Sequence, residues 1–365
     1  MGHLSLDKTL SFIKAPRYLT MPAASFDISD HSIKYFEAER APYGYVPFAY
    51  EQSDLPHGIV HEGEVVDVKK LSEHISYFRK KYKKHKFVNI ALPEEHAFVF
   101  DLFVPEDEAR DSDTIRQFIE FKLSEFIPFN PQEAIFDFDI NNKSKSGAQV
   151  SVVVYSSAVI SEYLEAFESA GFIVKSAELE TASMERAVVP EQVRNSKKPY
   201  VVLDIGTSKV GVSVFVSKAP IFSTTIQYPV KDSFYKIYKQ ITGAKNADND
   251  DFFEWKYREG LLFADEANLA ELKEGFLKEL KSVIDYFNSH KQENSPEIGV
   301  IFLSGGNAAT NALDLLIKTE LGIDTFYVNV WQRMFDLDKF VPDIHKRDSF
   351  KLATVIGLFL KDLEL

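Results

Sequence analysis

Apolar and polar residues alternate with a period of two along AASFDISD and SIKYFEAE. This predicts a hairpin of half-buried strands over residues 23–50, with an extended continuation. Helical spacing takes over in GEVVDVKKLSEHISYFRKKYKK, and KFVNIAL (Lys86–Leu92) is a short apolar strand ended by Pro93. Strand, strand, strand, helix, strand is a mixed α/β layout. HAFVFDLFVP then predicts a strand and DSDTIRQFIEFKLSEFIPF a helix. That helix has its N-cap near Asp111–Asp113, apolar positions at Ile115, Phe118, Ile119, Leu123, Phe126 and Ile127, and a stop at Pro128. Two strands, AIFDFDI and AQVSVVVYS, follow around the polar loop NNKSKSG. A helix closing at Gly171 and the strand FIVKSAELE complete this part. NSKKP (Asn195–Pro199) reads as a linker.

Beyond the linker the opening pattern returns. VVLDIGTSKVGVSVF (Val201–Phe215) is again apolar strand, Asp-Ile, small polar turn and second strand, as in SFDISDHSIKYFEAE (Ser25–Glu39). A polar, acidic and aromatic stretch over roughly 240–295 holds the long helix EANLAELKEGFLKELKSVIDYFNSH. IGVIFLSGGNAATNALDLLIKTELGI predicts strand, glycine turn and helix; TFYVNV is another strand, and SFKLATVIGLFLKDLEL a C-terminal helix.

The chain has 365 residues, too many for one ordinary core, so two or more subdomains are expected. It has no Cys, which excludes disulfides and thiolate metal sites and points to a reducing compartment. No apolar run approaches the length of a membrane span, which is about 18 residues or more. MGHLSLDKTLSFIKAPRYLT lacks the apolar centre of a signal peptide and reads as an extension, residues 1–22, that packs on the body or stays mobile. The formal net charge of −13 opposes general nucleic-acid binding. One basic run, RKKYKKHK (Arg79–Lys86), reads as a solvated helix C-terminus stabilised by the macrodipole, the alternative being a patch for anionic lipid.

Three pieces carry candidate chemistry: two strand-Asp-turn-strand hairpins, and Ser304-Gly305-Gly306-Asn307 between a strand and a helix. Two facing hairpins can clamp a triphosphate through backbone N–H groups. An Asp after each first strand can hold Mg²⁺ through water. Paired glycines let a nucleotide approach the backbone of a helix start. Taken singly, each has a plainer reading. A strand-end Asp caps a turn, a glycine pair makes a βα turn, and His31 is an exposed turn residue without the partners a metal needs.

The order of these pieces resembles the actin-like ATPase superfamily, built on two RNase H-like lobes. FKLSEFIPFNPQEAIFDFDI, with its helix running into "IPF" and then an acidic strand, is similar to the PilM family of type IV pilus assembly proteins. So is VSVVVYSSAVISEYLEAFESAGFIVKSAELETASMERA, with its strand, helix ending in Ala-Gly, and acidic segment. The resemblance spans nearly all of the chain after about residue 20. It implies an α/β actin-like fold with a first lobe at 23–92, an inserted FtsA/PilM-type (SHS2-like) subdomain at 93–178, and a return and linker at 179–198. The second lobe is then 199–365, with a small subdomain at about 236–295.

Carried over by residue, the resemblance implies Asp27 and Asp204 as carboxylates holding Mg²⁺ through water, with Asp204 also a catalytic, water-orienting group. Lys34, Gly206, Thr207, Ser208 and Lys209 would contact phosphate. Gly305, Gly306 and Asn307 would bracket the adenosine, and Glu279 and Lys281 would reach ribose or adenine. The first turn, Ser29-Asp30-His31, falls in the ATP site but departs from the family's Asp-Ile-Gly with small hydroxyl residues. An Asp30 carboxylate about 4 Å from a phosphate charge would be repelled by roughly 4 kcal/mol at an effective dielectric of about 20.

The implied function is that of a bacterial, cytoplasmic, ATP-binding scaffold peripheral to the inner membrane. It would hold the cytoplasmic tail of a PilN-like partner in a groove between the inserted module and the first lobe, alongside other pilus assembly proteins. Hydrolysis would be weak at most, nucleic acid excluded, and the membrane met only through partners; the resemblance leaves a homo-oligomer open. The alternatives are an FtsA-like division protein, a sugar or acid kinase of the same superfamily, and an adaptor that no longer binds nucleotide.

Overall fold

The computed structural model describes residues 22–244, 249–290 and 296–364. The expected N-terminal extension, apart from Pro22, lies outside the described residues. β1 (Ala23–Ser29), β2 (Ser32–Ala41) and β3 (Gly44–Asp54) form an antiparallel meander. A two-stranded ribbon, β4 (Val60–His61) and β5 (Glu64–Val65), leads into α1 (Val68–Lys81) and β6 (Phe87–Leu92). The inserted module is β7 (Phe98–Pro105), α2 (Ser112–Lys122), β8 (Ala134–Ser144) and β9 (Gly147–Ser156). α3 (Ser157–Ser169) and β10 (Ile173–Leu179) return to the first sheet, and α4 (Glu180–Val188) and α5 (Glu191–Arg194) lead away from it.

The second lobe opens with the meander β11 (Tyr200–Ile205), β12 (Lys209–Val216) and β13 (Ala219–Gln227), followed by α6 (Val230–Thr242) and α7 (Asn249–Arg258). α8 (Glu266–Leu272) runs through a π-helical turn, Lys273–Leu277, into α9 (Lys278–His290). β14 (Val300–Ser304), α10 (Leu313–Leu321), β15 (Asp324–Tyr327) and α11 (Ala353–Glu364) complete the chain.

The two large sheets have the same plan. The first is ordered β10-β6-β1-β2-β3 and the second β13-β12-β11-β14-β15, each an antiparallel meander extended by two parallel strands. β1 and β11 are therefore central strands, which explains their near-continuous apolar runs. β3, at an edge, alternates instead. The module has its own sheet, β7-β9-β8, and its own core of Val104, Ile115, Ile119, Leu123, Ile127, Val150, Val152 and Val154. Its helix starts in a capping box between Asp111 and Thr114, as the expected N-cap requires. The basic run after α1 is held by acidic strands: Lys81 pairs with Glu51 at 2.9 Å and Lys84 with Glu39.

Two boundaries differ from expectation. The insert expected at 93–178 ends at β9, because α3 packs in the first-lobe core and β10 pairs with β6. The span 199–365 assigns the C-terminal helix to the second lobe, yet α11 packs on α4 and on β1, β2 and β6 of the first sheet. Its apolar pattern had no neighbour specified by sequence alone. Two helices thus join the lobes, α4 outward and α11 back. They cross so closely that a Cβ on Gly357 would lie 1.6 Å from the Ser183 carbonyl oxygen. Gly357→Val is therefore expected to destabilise the fold by at least about 2 kcal/mol, read from denaturant unfolding.

Candidate functional site

Asp27 and Lys34 are cross-strand partners on β1 and β2, so their side chains share a face. They form a 2.6 Å ion pair in which Asp27 is buried. The equivalent position in the second lobe, Asp204 on β11, pairs with Gly211 of β12 and Ser304 of β14. The two strand ends act on one another. Burial works against the charge of Lys34, but Asp27, then Glu180, with Asp204 adding, holds its ammonium above the ordinary value. Asp204 is pushed up to about 6 by burial above all; Lys34 opposes the shift, and Asp27 and Glu94 add to it.

Glu180 is a third carboxylate at this place and was not among the expected site residues. It opens α4 directly after β10, and burial, then Asp27 and Asp204, raise it well above the usual range. Its signal in the sequence is positional. A Glu stands where a parallel strand ends and a helix begins, the end of an α/β sheet at which ligands collect.

The first hairpin turn is occupied by its own structure. Ser29 Oγ lies 3.1 Å from Ser32 Oγ, and the exposed His31 ring sits 5.0 Å from that of His57. Asp30 is directed away from the role that would repel phosphate. Its carboxylate accepts hydrogen bonds from the Glu62 and Gly63 N–H groups, at 2.9 and 3.0 Å, in the turn between β4 and β5. In the second turn Gly206 N–H donates to the Lys209 carbonyl at 3.0 Å, leaving Thr207 and Ser208 exposed. Lys209 is turned to an ion pair with Glu95, and burial lowers its ammonium below the ordinary value.

The glycine turn is stitched to the second hairpin. Gly305 has φ +92°, and a Cβ there would lie 2.3 Å from Asp204 Oδ1, so only glycine fits. Asn307 donates from its backbone to the Ile205 carbonyl at 3.0 Å and from Nδ2 to the Gly206 carbonyl at 2.8 Å. The helical side chain that meets this turn is Lys256 of α7. It is buried and donates to the Gly306 carbonyl at 2.9 Å and to Asn307 Oδ1 at 3.3 Å. Burial brings it down to about 8 against the opposing charge of Asp348. Glu279 and Lys281 are the helical residues expected at ribose or adenine. Both are exposed on α9, and among the described residues neither bonds the glycine turn. The sequence signal lay in FFEWK, where an isolated Lys sits in an aromatic run.

Asp27, buried, and Asp204 and Glu180, half-buried, leave an excess of negative charge around Lys34, which a divalent cation would offset. Among the described residues no three His, Asp or Glu side chains are placed to ligate a metal directly, so such an ion would be held through water. In Mg²⁺-free buffer the folded chain binds more protons than the unfolded chain between the ordinary 3.8 of an Asp and about 6. Stability therefore falls as pH rises through that window. Asp204→Asn removes this loss. It is expected to be more stable than the wild type at neutral pH, on the order of 1 kcal/mol or more, with the gap closing toward about pH 4 in denaturant melts.

Among solved structures, the chain is similar to one described as a PilM-PilN type IV pilus biogenesis complex. The TM-score is 0.75 at 19% identity, covering 95% of this chain and 100% of that one. It is also similar to MreB of Spiroplasma citri bound to ADP (TM-score 0.52, 11% identity, 94% and 98% covered) and bound to AMPPNP (TM-score 0.50, 10% identity, 94% and 97% covered). These likenesses show the actin-like ATPase fold. Comparison with curated sequences gives no match. The model of the family described as type IV pilus assembly protein PilM matches residues 25–363, and with nearly the whole chain matched, this protein belongs to the PilM family.

Proposed function

We propose that the cleft between the lobes binds Mg²⁺-ATP and that the inserted module receives the cytoplasmic tail of a PilN-like inner-membrane protein. The observation that carries the nucleotide reading is the pair of strand ends, Asp27–Lys34 and Asp204, meeting beside a glycine turn stitched to the second hairpin. Lys34 and the backbone of both turns would take the phosphates, and Mg²⁺ would neutralise them while held through water by Asp27 and Asp204. Lys256 and the Gly305–Asn307 turn would lie against the nucleoside. Similarity to a nucleotide-bound MreB supports this use of the fold.

The tail reading rests on the family and on the module's surface. Among the described residues β8 pairs with β9 alone, which leaves its other edge for an added strand. Asp139 on β8 lies near enough to Arg186 and Lys361 of the first lobe to sense their charge. The module, residues 98–156, carries 11 acidic and five basic side chains, a net charge of −6. The matching tail is basic, as segments on the cytoplasmic side of a membrane span are. An FtsA-like membrane anchor is disfavoured because α11 buries Val355, Ile356, Leu358 and Leu360 in the body. No helix among the described residues is long and apolar enough to cross a membrane.

Calorimetry with Mg²⁺-ATP tests the cleft. Micromolar binding is expected for the wild type, at least about tenfold weaker binding for Asp204→Asn, and a change within about threefold for Asp30→Ala. No binding by the wild type would sink the nucleotide reading. A basic PilN-like tail should bind better than its scrambled form and weaken as salt rises; equal binding of the two would sink the tail reading.

A further inference from the structure

The turn Pro93–Ala97, between β6 of the first lobe and β7 of the module, is held from three sides. From the module, Tyr155 Oη donates to the Pro93 carbonyl at 3.1 Å. From the first lobe, His96 Nε2 meets the Glu62 carbonyl at 3.0 Å, beside the N–H groups that cap Asp30. Toward the second lobe the turn extends two carboxylates. Glu95 pairs with Lys209, and Glu94 is buried against the face of β12 and β13.

Glu94 Oε1 accepts from Ser213 Oγ at 2.6 Å, from Ser223 Oγ at 2.7 Å, and from Thr181 Oγ1. Ser213 and Ser223 are register partners on β12 and β13, and Gly211 stands two residues before Ser213 on the same face. A Cβ on Gly211 would lie 3.1 Å from Glu94 Oε2 and 3.5 Å from Asp204 Cβ. The carboxylate therefore occupies space left by that glycine, next to Asp204. A buried carboxylate is costly without donors. Glu94 finds two of its three donors on the meander of the second lobe, so its burial is satisfied only while the lobes stay together. The carboxylate also borders a cavity of about 530 Å³ lined by Phe98, Phe100, Phe126 and Thr225, so the module's side of the turn is not tightly packed.

We propose that Glu94 is an interlobe latch. Its carboxylate, docked on Ser213, Ser223 and Thr181, positions the second hairpin against the first and ties lobe closure to the root of the inserted module. This concerns closure itself and holds whether or not ATP occupies the cleft.

The chain lacks Cys, so a Glu73→Cys, Ser282→Cys pair, exposed on α1 and α9, can be spin-labelled for distance measurement without background. In the nucleotide-free protein, Glu94→Ala is expected to lengthen or broaden the interlobe distance by more than about 2 Å. Ser213→Ala with Ser223→Ala should do the same, while Glu94→Gln, which keeps an acceptor oxygen, should stay near the wild type. Circular dichroism of each variant establishes that the lobes remain folded, and the serine variants carry the test if Glu94→Ala does not fold. Superimposable distributions for the acceptor-deleted or donor-deleted chains would overturn the latch, as would opening by Glu94→Gln equal to that by Glu94→Ala.

Discussion

Carboxylates drawn partly or wholly out of water between two lobes must be compensated, and in this chain four of them, at or just beyond strand ends, organise that space. Asp27 is compensated by Lys34 across its own hairpin. Glu94 is compensated by hydroxyls of the opposite lobe. Among the described residues Asp204 and Glu180 have no comparable partner, and burial raises the proton affinity of both. The imbalance is local. It lies where two equivalent strand ends meet, which is where a cation with an anionic ligand would restore it.

The repeated fold explains the position of this imbalance. Each lobe supplies a central strand that ends in Asp-Ile and a turn, and α4 and α11 hold the two copies at a close crossing set by Gly357 and Ser183. The copies have diverged in what their turns do. The second keeps Gly206, Thr207 and Ser208 open beside the glycine turn. The first spends Asp30 on capping the β4–β5 turn, which in turn touches the Pro93–Ala97 segment through Glu62 and His96. Hairpin tip, ribbon, module root and second hairpin are thus joined in one chain of polar contacts, and Glu94 is its buried acidic link.

Much of this was legible in sequence. Period-two runs mark the meanders and the "IPF" helix marks the module; the recurring strand-end Asp pattern singles out Asp27 and Asp204, and the structure pairs Asp27 with Lys34. What stayed hidden depends on contacts between distant segments. Asp30 looked hostile to phosphate because its acceptor role involves N–H groups 32 and 33 residues away. Lys256 was missed in favour of Glu279 and Lys281 because helical periodicity places a residue on a face but does not say which helix meets the glycine turn. The packing of α11 on the first sheet was hidden for the same reason. Nothing in the sequence singles out Glu94, and only the register of Ser213 with Ser223 shows that a polar socket receives it.

The central claim is that the two hairpin tips form one ligand site. Hydrogen–deuterium exchange of the intact protein, with and without saturating Mg²⁺-ATP, reads both tips at once. The account predicts slowed exchange at Ser29–Ser32 and at Gly206–Lys209 together, with the Gly305–Asn307 turn following. Unchanged exchange at both tips, or protection confined to one lobe, would contradict it.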